Sequence, residues 1–259
     1  RWTEKGADAV KSFIIWLKIE VFRFLREPIS LFFTLIFPII LVFIFGDSFG
    51  SSVSEDGISY YNSLVAIDVS FLIANFTLMG VGNDLANQKE NGIDAGMKLL
   101  PVSSLYRTVI QFISYLLLLF LSLILLTIYV FIRYEDVHFR GSIPLFLFFM
   151  IVGYFFFVNL TKFIVSFRLS ARTLQLITST VFFILLFCSG IVIPKESLPM
   201  AVQPWVDWSP LFVLYKTLEG VWNNTIEITQ YLNSSIYMIL LSVAFYGIGQ
   251  ILKLYRKEV

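Results

Sequence analysis

Residues 108–132 read TVIQFISYLLLLFLSLILLTIYVFI. The stretch holds no charged residue, no proline and no glycine. Crossing the hydrocarbon core of a bilayer takes about 20 mainly apolar residues in a helix, or about 10 in a tilted barrel strand. This run is too long for the strand and lacks the alternation of period two that a strand requires. In lipid the backbone has to satisfy its own hydrogen bonds, which a single segment achieves only as a helix. The segment therefore predicts a transmembrane helix, and its neighbours decide how many more there are.

Five further stretches have comparable length and polarity: 29–46, 59–82, 143–161, 173–193 and 232–252. The expected fold is an all-α membrane protein with six transmembrane helices. Composition agrees. Of 259 residues, 58% are hydrophobic and 14% charged, whereas a soluble domain averages about 45–50% apolar and about 25% charged. A chain of this length has no water-soluble core large enough for that excess, which excludes an ordinary cytosolic enzyme and a disordered chain. The net charge of +1 gives no field for a nucleic acid. One cysteine, Cys188, and one histidine, His138, exclude an internal disulfide, a cysteine cluster and a multi-histidine metal site. No G-x-x-x-x-G-K-[ST], H-E-x-x-H or G-x-S-x-G motif occurs, so the chain is not expected to be an enzyme or to hydrolyse ATP itself.

Basic residues orient the spans. With the N-terminus in the cytoplasm, fifteen of the 19 Lys and Arg residues fall inside, and only Arg133, Arg140, Lys195 and Lys216 fall outside. The first outer loop, 47–58, carries Asp47, Glu55 and Asp56 and no base. Excess Lys and Arg mark the cytoplasmic side, so both termini are expected there. Trp2, Trp16, Trp205, Trp208 and Trp222 all lie outside the spans and are expected to act as interfacial anchors. Residue 1 is Arg rather than Met, so the natural N-terminus is expected further upstream, and residues 1–12 show no signal-peptide pattern.

Three segments are not plain spans. Residues 11–27 place Phe13, Ile14, Leu17, Val21, Phe24 and Leu25 on one helical face, with Lys11, Lys18, Arg23 and Arg26 off it. This predicts an amphipathic interfacial helix, serving as a surface anchor or packing on protein as well. Glu27-Pro28 then turns the chain into the membrane. Residues 83–107, NDLANQKENGIDAGMKLLPVSSLYR, form the longest charged connection on the cytoplasmic side, read as a short polar helix over 84–100 that either docks a partner or is a solvated connector. Residues 190–231 mix Pro194, Pro199, Pro204 and Pro210 with apolar and Trp residues. They are too apolar for a free loop and too broken for a span. Two short re-entrant helices within 194–222 are expected, buried against protein in the outer leaflet.

Asp68 is the one acid inside a span, and intramembrane acids are functional candidates by default. Tyr61 and Asn75 lie at heptad spacing from it, so a polar stripe is expected to face protein or a water-filled path. Asp68 either lines a substrate path or makes a helix-packing contact. Phe183 and Phe187, at i and i+4, either line an apolar cavity or face lipid. Pro38 is expected to free a backbone carbonyl and kink the first span.

Two motifs resemble those of a known family. Glu90, Gly92, Pro101, Val102 and Ser103 fit a Glu-x-Gly pattern followed nine residues later by Pro-Val-Ser, with Ile93 and Asp94 where Thr and Leu are usual. Gly190, Pro194, Leu198, Pro199 and Pro210 fit an outer Gly-x-x-x-Pro-x-x-x-Leu-Pro followed by a second Pro, with Ser209 replacing the usual Asn. With the entry helix and six spans, the whole chain, 1–259, resembles a single ABC-2 type permease domain, the membrane subunit of an ATP-binding-cassette exporter. The resemblance implies half of a translocation path, a second permease copy or paralogue, and separate ATPase subunits that bind ATP and Mg while this chain binds no cofactor. It implies a bacterial cell membrane. Lys89, Glu90, Gly92, Asp94 and Lys98 become the expected ATPase-coupling residues. The cargo is expected to be amphipathic or hydrophobic: a drug, antibiotic, peptide or lipid. The alternatives are a polysaccharide or glycolipid exporter, or a polytopic membrane protein without transport activity.

Overall fold

The computed structural model describes residues 2–49, 60–93, 96, 103–134, 137–167, 169–192, 195–225 and 227–255. Among them there is no strand. The helices are α1 (Trp2–Leu25), α2 (Pro28–Leu31), α3 (Phe37–Phe49), α4 (Tyr60–Asn75), α5 (Gly82–Glu90), α6 (Ser104–Arg133), α7 (Ile143–Ser166), α8 (Ala171–Phe187), α9 (Gln203–Val206), α10 (Pro210–Asn223) and α11 (Ile228–Tyr255). Among the described residues, five helical stretches are long and apolar enough to cross a membrane: Pro28–Ser48, Ser63–Glu90, Leu105–Arg133, Ile143–Ser166 and Thr229–Leu252. Ala171–Phe187 is a shorter apolar helix.

The second span organises the rest. Its apolar window is 100% buried within the protein, against 17% for Thr229–Leu252. α3, α7 and α10 pack around α4, while α8 lies along α5 and α11 lies along α7. Phe71 meets Phe182 at 5.5 Å between ring centroids, fixing α8 to this central helix. A helix wholly enclosed by one chain offers no surface to lipid, so the outer helices carry the membrane-facing side chains.

Both of the first two spans widen into a π-helical turn, and the sequence accounts for each. Over Phe32–Ile36 the Phe37 N–H reaches back to the Phe32 carbonyl. In that register the Phe33 carbonyl would take the N–H of residue 38, which is Pro38 and has none. Asn75 Nδ2 donates to the Phe33 carbonyl instead. Over Phe76–Val81, Thr161 Oγ1 donates to the Thr77 carbonyl at 3.1 Å and Ser30 Oγ donates to the Gly80 carbonyl at 3.1 Å. Hydroxyls from α7 and α2 thus satisfy carbonyls of the widened turn.

Two boundaries and the place of one tryptophan differ from the sequence reading. The second span does not end at residue 82; it runs on as α5 to Glu90. The fifth apolar helix stops at Phe187, short of residue 193. Ser189 Oγ accounts for this by bonding the Leu186 carbonyl at 3.0 Å, and Gly190 then takes a positive φ of 73° that other residues resist. Trp222 is not an interfacial anchor: it is buried between Phe139 and Phe146, with ring centroids 4.8 and 5.5 Å away. Trp205 and Trp208 are exposed as expected of anchors.

Candidate functional site

The polar segment after residue 82 shows why it continues the helix. The sequence NDLANQKEN contains no proline or glycine, so nothing in it stops a helix before Gly92. Most of its first six residues do not face water. Asn83, Asp84, Ala86 and Gln88 are all buried. Such burial demands partners; Asp84 and Gln88 find them on α1 and α6, while the Asn83 amide has none among the described residues.

Asp84 is the centre. Its Oδ2 accepts from Tyr115 OH of α6 at 2.6 Å, from Gln88 Nε2 at 2.8 Å and from Arg23 Nη2 of α1 at 3.2 Å. Arg23 also pairs with Glu20 one turn earlier. Gln111 Nε2 extends the network from α6 to Gln88 Oε1 at 3.3 Å. Burial alone disfavours the charge on Arg23. The facing Asp84, Tyr115 and Glu20 outweigh that and raise its pKa above the ordinary guanidinium value.

The last turn of α5 makes two more ties. Asn87 Nδ2 donates to Glu27 Oε2 at 3.1 Å, at the corner where α1 ends and the extended Glu27 leads into Pro28. Lys89 Nζ donates to the Val165 carbonyl at 3.3 Å and to the Phe167 carbonyl. A cation on the free carbonyls of a helix C-terminus is the arrangement favoured by the helix dipole. Less than two turns of helix therefore hold α1, the entry corner, α6 and the end of α7 together.

Beyond Lys89 the chain is exposed. Glu90, Asn91, Gly92 and Gly96 are all on the surface. Gly92 has φ 66°, and no atom lies within 4 Å of where its Cβ would be. Gly92 and Gly96 accordingly do not share a face of one continuous helix; Gly92 is the left-handed residue that ends α5. Asp84, grouped by sequence with the surface charges of 84–100, lies inside the bundle. Asp94 and Lys98 lie outside the described residues, as do Pro101 and Val102. Ser103 is the N-cap of α6, its Oγ accepting from Tyr106 N at 3.2 Å.

The path candidates separate. Asp68 is 2% exposed, and its Oδ2 has no hydrogen-bond partner among the described residues. Asn75 is fully buried and tied to Phe33. Phe183 and Phe187 lie on the exposed side of α8, stacked at 6.3 Å. The two sets are not brought onto one surface, and the Tyr61 side chain lies outside the described residues. Of the outer motif, Gly190 and Leu198 are half-buried, Pro199 is exposed and Pro210 opens α10, whose Leu211, Leu214 and Leu218 are buried. Pro194 lies outside the described residues.

Reading by sequence missed Arg23, Gln88, Gln111 and Tyr115 as a group. The available signals were a helical pattern unbroken to Gly92, Asp84 and Gln88 one turn apart, and Tyr115 beside Ser114 near the start of the apolar run of α6.

A buried second span with a polar continuation, ringed by further apolar helices, defines a multi-pass helical membrane protein. The family model described as "ABC-2 family transporter protein" matches residues 51–250, well over half of the chain, and the chain belongs to this family. It is thus a membrane component of an ABC transporter, of a kind that normally works with separate ABC ATPase subunits. A search of curated proteins finds none that matches.

Proposed function

We propose that the chain is one permease half of an ATP-driven exporter, and that the exposed tip at Glu90–Gly92 receives the push of a separate ATPase. The observation that carries this reading is the grip of α5: between Asp84 and Lys89, just behind that tip, the helix is bonded to α1, α6, the Glu27 corner and α7. A displacement at the tip then moves several helices together, as rigid-body switching requires. On this reading Ala171–Phe187 is a sixth span, the termini and the tip are cytoplasmic, and the segment from Pro194 to Trp222 re-enters the outer leaflet. The distribution of basic residues supports that orientation. A helix of 17 residues sits at the short end of what spans a bilayer. ATP and Mg belong to the partner, and a second permease completes the path in a bacterial cell membrane.

The cargo is amphipathic or hydrophobic. The exposed aromatic side of α8 favours this, since Phe183 and Phe187 offer apolar surface and no charge. Glu90→Lys tests the coupling assignment, because it reverses an exposed charge without touching the buried network. It is expected to weaken association with the ATPase, or to uncouple hydrolysis from transport, while the permease still inserts. Gly92→Trp is expected to do the same, with Gly92→Asn as a control that tolerates the left-handed backbone. Parental binding and transport in both Glu90→Lys and Gly92→Trp would refute the assignment. Cysteines at Ser197 and Asn91, both exposed, test the orientation: the first is expected to label from outside sealed cells and the second is not.

A further inference from the structure

We propose that Asp84 is a positioning residue that makes the entry helix α1 travel with α5 and α6 when the tip at Glu90–Gly92 is displaced; this rests on the coupling reading above. Three features carry it. Three donors converge on a single oxygen, Asp84 Oδ2, and they come from three places: Arg23 on α1, Gln88 on α5 itself and Tyr115 on α6. The carboxylate is 1% exposed, so water does not compete for it. Finally, beside the Arg23–Asp84 bond and the Asn87–Glu27 bond at its corner, α1 meets this region through apolar contacts such as Phe24 on Phe76 and Tyr115, at 5.6 and 5.9 Å between centroids. Apolar contacts are non-directional and let helices slide, whereas a charge-assisted bond fixes register.

The sequence of α1 adds weight. Arg23 sits in the last turn of α1, two residues before Leu25 and close to the Glu27-Pro28 corner that leads into the first span. A push carried through Asp84 to Arg23 is therefore delivered beside the hinge between entry helix and membrane. Asn87 holding Glu27 across the same corner keeps that hinge in register with α5. The first span thus receives the movement through α1 and its corner, and the third receives it through Tyr115.

Spin labels test the proposal on the permease–ATPase complex in lipid nanodiscs, on a Cys188→Ser background. One pair joins Ser12→Cys on α1 to Ile248→Cys on α11, and a second joins Val109→Cys on α6 to the same Ile248→Cys. Distances are measured without nucleotide and with Mg-ATP plus vanadate. In the parental chain both distances are expected to change with nucleotide. In Asp84→Asn the second change is expected to persist while the first is lost, with the ATPase still bound. Asp84→Asn keeps shape, and Glu20 continues to pair with Arg23, so folding is expected to survive. Tyr115→Phe, which removes one donor and keeps the ring, is expected to shrink the response of the Val109 pair by about half and leave that of the Ser12 pair intact. Asp84→Glu, which restores the charge, is expected to recover part of the α1 response. A purely structural role would lower stability without separating the two distances. Both changes persisting in Asp84→Asn would overturn the proposal and leave the coupling reading standing. No response of either distance in the parental complex would overturn the coupling reading, and this proposal with it.

Discussion

The two ends of the helical bundle solve one problem with the same three residue types. At the end that carries Glu90, Asp84 receives Arg23 and Tyr115; at the other end, Asp47 receives Arg133 and Tyr134. Each cluster ties a segment flanking the first span to the third. The surroundings differ. Arg23 and Asp84 are 19% and 1% exposed, whereas Arg133 and Asp47 are 49% and 35% exposed. In the buried cluster three donors share one oxygen, although Glu20 also faces Arg23 and Gln88 Nε2 also lies 3.3 Å from Tyr115 OH. In the exposed one the parts have alternatives: Tyr134 OH also lies 3.4 Å from the Val42 carbonyl, and Arg133 lies over the Tyr134 ring at 5.4 Å. The same residue types are thus expected to contribute more at the buried end than at the exposed one, where water competes for the carboxylate.

The largest effect is expected from Asp84→Ala, which leaves Arg23, Gln88 and Tyr115 without their common acceptor. Breaking one side of a buried ion pair typically costs about 3–5 kcal/mol. Glu20 still faces Arg23, so the lower end, about 3 kcal/mol, is expected. The thermal unfolding midpoint in detergent should fall markedly for Asp84→Ala and hardly at all for Asp47→Ala. Equal falls would break the comparison between the two ends.

Tyrosine to phenylalanine sharpens it, since the ring stays and only the hydroxyl goes. Tyr115→Phe removes a donor to a buried carboxylate, worth about 1.5–3 kcal/mol. Tyr134→Phe removes a longer bond of 3.2 Å to a carboxylate that water also reaches, so less than about 1 kcal/mol is expected. The same unfolding midpoints read the difference. A larger loss for Tyr134→Phe would mean that geometry rather than burial sets the energies.

How much of this was legible follows the same divide. Apolar runs reported the spans directly, because lipid accepts only long apolar helices. The stretch 83–90 misled for the converse reason: it is polar, and polarity alone reads as loop. Asp84 and Gln88 find partners there only because Arg23, Tyr115 and Gln111 await them, and pairing between residues 61 or 31 positions apart leaves no local trace. The π-helical turn before Pro38 was partly legible, since a proline announces a freed carbonyl. That Asn75 would serve it was not, as the partner belongs to another helix. Residues whose role depends on surface, such as Glu90 and Gly92, were legible from position and from the motif. The apparent polar stripe of Asp68 and Asn75 was legible as a stripe, but which way it faces depended on how many helices enclose α4.

A smaller effect separates the tip from the turn behind it. Gly92 has a left-handed backbone and open space around it, so Gly92→Ala strains only the backbone, by about 1 kcal/mol. Because α5 is already held by Lys89 on the end of α7, that strain should stay local. Hydrogen exchange is expected to quicken at residues 90–92 and to stay unchanged at Gln88. Faster exchange at Gln88 would show that the tip and the buried cluster are one unit, and would remove the distinction between them.

The smallest effect belongs to the Arg133–Asp47 pair, and it is the most diagnostic because it responds to salt. Exposed ion pairs contribute about 0.2–1 kcal/mol, and ionic strength screens them. A double-mutant cycle with Arg133→Gln and Asp47→Asn is therefore expected to give a small coupling energy at low salt that shrinks further as salt rises. The matching cycle with Arg23→Gln and Asp84→Asn should give a larger coupling energy that salt leaves almost unchanged, because counter-ions do not reach a carboxylate buried beneath α1 and α6. The sign of the salt effect matters more than its size. Screening can only weaken an attraction between opposite charges in contact with solvent, so a coupling at the Asp47 end that holds steady with salt would mean that this pair is shielded, and the contrast between the two ends would then rest on the number of acceptors rather than on water.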